Sequence, residues 1–364
     1  MSGSADTGNE VTRAPDRPMA LEDLLGAGDR SVASGMRDLL AGLLDVSDRD
    51  AGISNVERIK KGVHRLLLES GRATRSVIIK RLDPNVGHRN EVVVTRWLPA
   101  VGLGHGGPTH LGTVAERRGK RVWHVYEDMG DETLDAEHPD TSHVEQSVRL
   151  VASLHTRFAG HPLLGECRLW GGDLGMTFYE SNAVDAIRAL EALRPPTVEL
   201  APEHGSARDA LLWTLRRMLD DVERRRSLLA EHGGPETLLH GDLWRQNVLL
   251  VRSDDGAVRP RLIDWDHAAV GHVGYDLSTL LSRFAASERP GVLELYRSEV
   301  ASAGWRLPDD GILNELFDTA ERSRIANRVI WPTIEIRFGS HGDWARDQLI
   351  ELCHWFDQLA PVLS

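Results

Sequence analysis

The chain has 364 residues, 41% of them apolar and 27% charged, with a formal net charge of −12. That length and apolar content suffice for a large core in two lobes and exclude a largely disordered chain; the acidic balance argues against nucleic acid or an anionic membrane as the main partner, because both demand basic patches. Two distant cysteines, Cys167 and Cys353, argue against a disulfide framework or a thiolate zinc site, and without a run of about 18 apolar residues no membrane span is expected, so the cytoplasm is the default location.

Residues 1–18 lack the apolar run of a signal peptide and read as a polar, disordered tail. Residues 19–46 carry apolar positions at helical spacing and read as two short amphipathic helices. "ISNVERIKKGVHRLLLESGRATRSVIIKRL" follows as three strands, with turns at "KKG" and around "SGRAT". "RNEVVVTRWL", residues 89–98, reads as a helix closed by Pro99, and "LGTVAERRGKRVWHVYEDM" as a hairpin turning at Gly119 and Lys120. After Gly130 the period changes. Val144, Val148, Val151, Leu154 and Phe158 recur at helical spacing, and "SARDALLWTLRRMLDDVERRRSLLAEHGG" reads as one helix ending at a glycine pair. The layout is α+β: a β-rich part over 19–128, then a helical part over 129–364, with the boundary near "EDMGDE".

Within the helical part, "LLHGDLWRQNVLL" is followed by the polar turn "RSDDGAVRP" and then "RLIDWD". This is a β-hairpin, with Asp242 and Asn247 in the loop before its first strand and Asp264 at the end of its second. A hairpin folds its ends together, so the three oxygen-bearing side chains converge at one mouth. Asn247 and Asp264 suit a hard cation such as Mg²⁺. Asp242 is then placed to orient or deprotonate an attacking hydroxyl. Asp266 is a further ligand or a supporting group, and both readings stand.

"HGDLWRQNVLL … LIDWD" resembles the catalytic and metal loops of the aminoglycoside phosphotransferase and choline kinase-like family, small-molecule relatives of the protein kinases. The resemblance implies a bilobal, protein-kinase-like fold with a β-rich N-lobe and a helical C-lobe. It also implies ATP and Mg²⁺ as cofactors, and a small hydroxyl-bearing molecule as acceptor. Asp242 takes the catalytic position, Asn247 and Asp264 the metal positions. Asp276, in "GHVGYDLSTLL", braces the catalytic loop, and His240 is a packed, structural histidine.

Upstream, the resemblance demands a strand lysine for the phosphates and a helix glutamate to pair with it. "VIIKRL" supplies Lys80, one of only four lysines among 43 basic residues, and "RNEVVV" supplies Glu91. Ile78 shares the lysine's face and should roof the adenine. The backbone from Glu127 to Met129 falls where the family's linker binds adenine. The turn "RIKKGVHR" offers Gly62 where protein kinases carry a glycine-rich loop, with phosphate contacts from the Lys61 or Gly62 backbone.

The leading function is ATP-dependent transfer of the γ-phosphate to a hydroxyl of an antibiotic, of aminoglycoside or nucleoside type, or of an amino sugar. A metabolic sugar or choline-like kinase is the alternative within the family. A metal-dependent phosphohydrolase using His240, Asp242, Asp264 and Asp266 leaves Lys80 and Glu91 unexplained. An inactive kinase-like binding module would lack one of the key groups, and a protein kinase would carry an A-P-E element. Acceptor contacts are expected from "WGGDLGMTFYESN" and "RSRIANRVIWPTIEIRFGSHGDW", with Asp173, Tyr179, Trp331 and Glu335 as candidate contacts; the carboxylates of Asp173, Glu180, Glu335 and Asp343 would attract a cationic group, and Trp170 and Trp331 offer a flat surface for a ring.

Overall fold

A computed structural model describes residues 30–44, 52–70, 73–135, 138, 140–253, 256–339 and 342–363. The expected tail 1–18 lies outside them, as do residues 19–29 and 45–46 of the expected helical stretch. The chain forms two compact units. One comprises the chain up to Glu91 together with Pro108–Met129, the other Val92–Gly107 together with Gly130–Ser364.

The first unit holds helix α1 (Arg30–Leu43), strands β1 (Gly52–Lys60), β2 (Val63–Ser70) and β3 (Ala73–Leu82), helix α2 (Pro84–Val92), and strands β4 (His110–Ala115) and β5 (Val122–Glu127). The strands make one antiparallel sheet in the order β1-β2-β3-β5-β4. Alternation sorts its two faces. Leu66, Leu68, Val77, Ile79, Trp123 and Val125 are buried on one face. Val32, Ala33, Met36 and Leu40 of α1, spaced along a helical stripe, pack against them. Each such side chain contributes about 1.5–3 kcal/mol through burial. Ile78 and Lys80 fall on the opposite face, paired in register with Tyr126 and His124.

The α2 region departs from expectation. The helix begins at Pro84, whose missing N–H costs nothing in a first turn, and Pro99 does not end the helical run. A π turn over Val93–Trp97 intervenes, with the Leu98 N–H bonded to the Val93 carbonyl, and it shifts the hydrogen-bond ladder so that Pro99 enters a final helical turn over Leu98–Ala100. Trp97 is buried, and its indole N–H donates to Glu166 at 2.9 Å. That contact lies in the second unit, so 92–107 belongs there rather than with the β-rich part.

The second unit continues with helices α3 (Thr141–Phe158), α4 (Leu164–Gly171), α5 (Met176–Glu191), α6 (Pro202–Asp220) and α7 (Val222–His232). Four short strands follow: β6 (Thr237–Leu239), β7 (Val248–Arg252), β8 (Val258–Leu262) and β9 (Ala269–Gly271). Helices α8 (Gly274–Ser282), α9 (Arg289–Ala301), α10 (Asp310–Phe338) and α11 (Gly342–Asp357) close the chain. The expected single helix through 206–234 is two, α6 and α7, broken at Asp221. That carboxylate accepts from the Arg224 and Arg225 side chains, a local polar alternative to a continuous helix. Ala183, Leu190, Leu211, Leu215, Val329 and Leu349 anchor a core among α5, α6, α10 and α11. Among the described residues no helix is long and apolar enough to cross a membrane.

Candidate active site

Four strands position the candidate site of the second unit. β6 pairs β9, with Leu239 opposite Ala269, and β7 pairs β8, with Val248 opposite Leu262. Loop 240–247 therefore starts beside the end of loop 263–268 and ends beside its start. The Ile263 N–H donates to the Asn247 carbonyl at 3.0 Å and completes the clamp. Residues far apart in sequence are held face to face by backbone pairing alone.

Within the first loop the Asn247 amide nitrogen donates to the Asp242 carbonyl at 2.8 Å and to the Asp242 carboxylate at 3.2 Å. His240 is fully buried. Its Nδ1 accepts the Asp242 N–H at 3.4 Å, its Nε2 donates to the Ile263 carbonyl at 2.9 Å, and its ring packs on Trp265. Both ring nitrogens are thus engaged by the backbone of the two loops. Gly241 has φ +81°, and a Cβ there would lie 2.0 Å from the His267 carbonyl oxygen, so only glycine lets the loops approach.

Asp276, on α8, is 0% exposed. Its carboxylate accepts the N–H groups of His240 at 2.7 Å and Gly241 at 2.9 Å, and His155 Nε2 at 3.2 Å. Burial opposes its ionisation, but the His155 hydrogen bond, the nearby imidazoles and the His240 N–H hold its carboxyl below the ordinary value. Asp264 is the one non-glycine residue with positive φ among the described residues, at φ 64° and ψ 57°. Aspartate tolerates that region better than most side chains, yet the conformation costs about 1–2 kcal/mol and clusters at functional sites.

The residues present fit a hard divalent cation. Because the Asn247 amide nitrogen is committed to Asp242, its oxygen is left for a cation, and Asp264 adds carboxylate oxygens. Asp266, half-buried in the turn after Asp264, has its own interactions and no assigned role.

In the first unit, Lys80 and His124 are register partners. Gly87 of α2 is buried where a Cβ would lie 2.4 Å from Val122, so α2 presses onto β5 and carries Glu91 toward the same ring cluster. Glu91, His110 and His124 offer atoms within 4.8 Å of one another. Thr113 donates to Glu91 at 3.4 Å. Burial, then the charges of His110 and Lys80, push the His124 imidazole down to about 3. Its Nδ1 meets the Tyr126 hydroxyl at 2.8 Å. Neither histidine stood out in sequence. His124 alternates with Tyr126 on β5 and pairs with Lys80, whereas His110 on β4 is the register partner of Tyr126.

Gly62 sits at φ +77° in the β1–β2 turn, and its carbonyl accepts the Arg81 N–H at 2.8 Å, tying the turn to the strand of Lys80. At the linker, the Glu127 N–H is spent on the Thr109 carbonyl at 3.0 Å, and the Thr109 N–H returns to the Glu127 carboxylate. An adenine contact through the residue 127 N–H is thereby excluded, which leaves other backbone groups of Glu127–Met129. Asp128 is fixed by Arg65 at 2.7 Å and by Ser76.

The four acceptor candidates lie elsewhere. Asp173 accepts from Arg168 at 2.8 Å and from the Gly175 N–H at 2.7 Å. Tyr179 is 1% exposed in the helical core, and burial pushes its phenol up to about 12. Trp331 is 64% exposed on α10, and Glu335 lies one turn further on, against Gly339. None of the four lines the cavity at Asp242. That cavity, of about 380 Å³, is bordered instead by Arg283, Glu321, Arg324, Arg328 and Trp355 among others. Arg324 and Arg328 lie in the segment 322–344 expected to contact the acceptor, on the helix face that Trp331 and Glu335 continue.

The phosphotransferase enzyme family model matches residues 66–308. Among solved structures, APH(2")-IIia with GDP and kanamycin is 17% identical with TM-score 0.57, covering 89% of this chain and 98% of that one. Spectinomycin phosphotransferase APH(9)-Ia with ADP and spectinomycin is 11% identical with TM-score 0.55, covering 90% and 95%. The Plasmodium vivax ethanolamine kinase is 12% identical with TM-score 0.54, covering 93% and 98%. A search of the curated proteins returns no significant match. With a protein-kinase-like fold and the family model matched over most of its length, the chain belongs to the phosphotransferase enzyme (APH) family and is a small-molecule kinase.

Proposed function

We propose that the protein transfers the γ-phosphate of ATP to a hydroxyl group of a small molecule, with Asp242 as the residue that receives the hydroxyl. The observation that carries the reading is the Asn247–Asp242 hydrogen bond. It holds the Asp242 carboxylate and commits the Asn247 amide nitrogen, which would leave the amide oxygen for a cation. Asp242 orients the acceptor hydroxyl and takes its proton as the new oxygen–phosphorus bond forms. The bond from the γ-phosphorus to the bridging oxygen breaks, and ADP leaves. Asn247 and Asp264 would hold Mg²⁺, which when bound neutralises phosphate charge. Lys80 holds the α- and β-phosphates, with Glu91 as its positioning partner. Positioning and charge neutralisation are the main demands of this chemistry, so the short list suffices.

The expected antibiotic or amino-sugar acceptor drew on Asp173, Glu180, Glu335 and Asp343 for charge and on Trp170 and Trp331 for a flat surface. As these lie away from the cavity at Asp242, the acceptor class is better argued from the residues that line it.

Asp242→Asn keeps shape and removes the base. ATP turnover in the presence of Mg²⁺ and hydroxyl acceptors should fall by about 10²–10⁴ in kcat, with nucleotide affinity by calorimetry largely retained. Wild-type turnover by this variant would overturn the assignment.

A further inference from the structure

The cavity at Asp242 carries the opposite charge balance to the chain. Three guanidiniums, from Arg283, Arg324 and Arg328, face two carboxylates, from Asp242 and Glu321, in a protein of net charge −12. One carboxylate, Asp242, is reserved for the acceptor hydroxyl. The other is spent on Arg324, which ion-pairs with Glu321 and also donates to the Tyr275 carbonyl at 3.1 Å. Two guanidiniums are left to be balanced.

Both are held ready. Arg283 lies over the Trp244 ring at 5.0 Å and Arg328 over the Trp355 ring at 5.1 Å. Neither makes a hydrogen bond or a close ion pair among the described residues. A guanidinium shelved on an aromatic face keeps its in-plane N–H groups for a ligand, and the stacking removes much of the entropy cost of ordering a long side chain. Trp244 stands two residues from Asp242 in the catalytic loop, so Arg283 is positioned by the same loop that positions the base. Desolvation and the mutual repulsion of Arg283 with Arg328 and Arg324 lower the Arg283 pKa, against attraction from Glu321 and Asp242. An anion would relieve that repulsion. Thr279, 7% exposed, lines the same cavity with a hydroxyl that has no hydrogen-bond partner.

We propose that the acceptor carries, besides its hydroxyl, a carboxylate or phosphate group held by Arg283 and Arg328. This rests on the phosphotransferase reading of Asp242 and deepens it. A volume of about 380 Å³ suits a molecule of monosaccharide size. Kanamycin and ethanolamine, named with structures of similar fold, carry ammonium groups that this cavity would repel.

The test uses the full chain saturated with Mg²⁺ and the non-hydrolysable analogue AMP-PNP, which fills the nucleotide's own phosphate subsites. Inorganic phosphate and acetate are then titrated separately by calorimetry. Saturable binding of either is expected, phosphate alone pointing to a phosphorylated acceptor and acetate to a carboxylate. The Arg283→Gln/Arg328→Gln double variant should weaken it about 10- to 100-fold, as loss of charge-assisted hydrogen bonds implies, while Arg283→Lys/Arg328→Lys restores part of it. Equal anion binding by wild type and the glutamine variant overturns the proposal. So does turnover that favours glucosamine, kanamycin or ethanolamine over glucuronate and glucose 6-phosphate. Failure of the phosphotransferase reading shows separately, as ATP turnover that does not depend on Asp242.

Discussion

The buried carboxylate of Asp276 accepts the backbone N–H of His240 at 2.7 Å, across 36 residues of chain. Its second oxygen takes the Gly241 N–H at 2.9 Å. Two consecutive amides at the entry to the catalytic loop thus end on one charge that never meets solvent. Asp276→Asn places an NH₂ group against one of these N–H donors and removes the charge that holds both. The expected cost is about 2–4 kcal/mol in denaturant unfolding. Because the loop carries Asp242, kcat should fall by at least about tenfold with little change in KM for ATP. A stability loss with unchanged kcat would make Asp276 a packing residue only.

Asp264 offers a cleaner separation of stability from activity. Its left-handed backbone is strained for any side chain and free of that strain for glycine. Asp264→Gly and Asp264→Ala both remove the carboxylate and should both abolish turnover. Their stabilities should differ, with the glycine variant about 1 kcal/mol more stable than the alanine variant. Thermal unfolding of the pair decides it. Equal Tm values would show that the loop relaxes to a normal conformation once the carboxylate is gone.

The convergence of loops 240–247 and 263–268 was legible because its signal is local. A polar loop, four apolar residues, a turn and a second polar loop can fold as only one hairpin, and strand pairing places Asn247 beside Ile263 and Asp264. The strand lysine was legible by contrast, standing in a chain that uses arginine almost everywhere. That same habit hid Arg283, Arg324 and Arg328. One more arginine carries no contrast in such a sequence, and only the packing of α8, α10 and α11 brings three of them to one cavity. The transfer of 92–107 to the helical unit was equally invisible. A proline normally reads as a helix end, and the π turn that carries the ladder past it has no sequence signature.

The first unit should weaken in mild acid, and the sign follows from His124. This ring is 1% exposed and its folded pKa is lowered from 6.5 to about 3. The unfolded chain binds a proton as pH falls through about 6.5, whereas the folded sheet refuses it until about 3. Stability attributed to the neutral ring is therefore fully present above about 6.5 and is lost progressively between those values. The slope from this one group approaches about 1.4 kcal/mol per pH unit. Burial also lowers the pKa values of His64 and His110, so they add to the slope in the same direction. His124→Gln keeps a polar side chain near the Tyr126 hydroxyl and removes the titration. Guanidinium unfolding followed by far-ultraviolet circular dichroism, with fluorescence of a variant that keeps Trp123 as its sole tryptophan as a local probe, should show wild-type stability dropping between pH 7 and pH 5 by roughly 2 kcal/mol more than that of the His124 variant. Parallel pH dependences in the two proteins would mean that His124 becomes protonated in the folded state despite its burial and the Lys80 charge beside it.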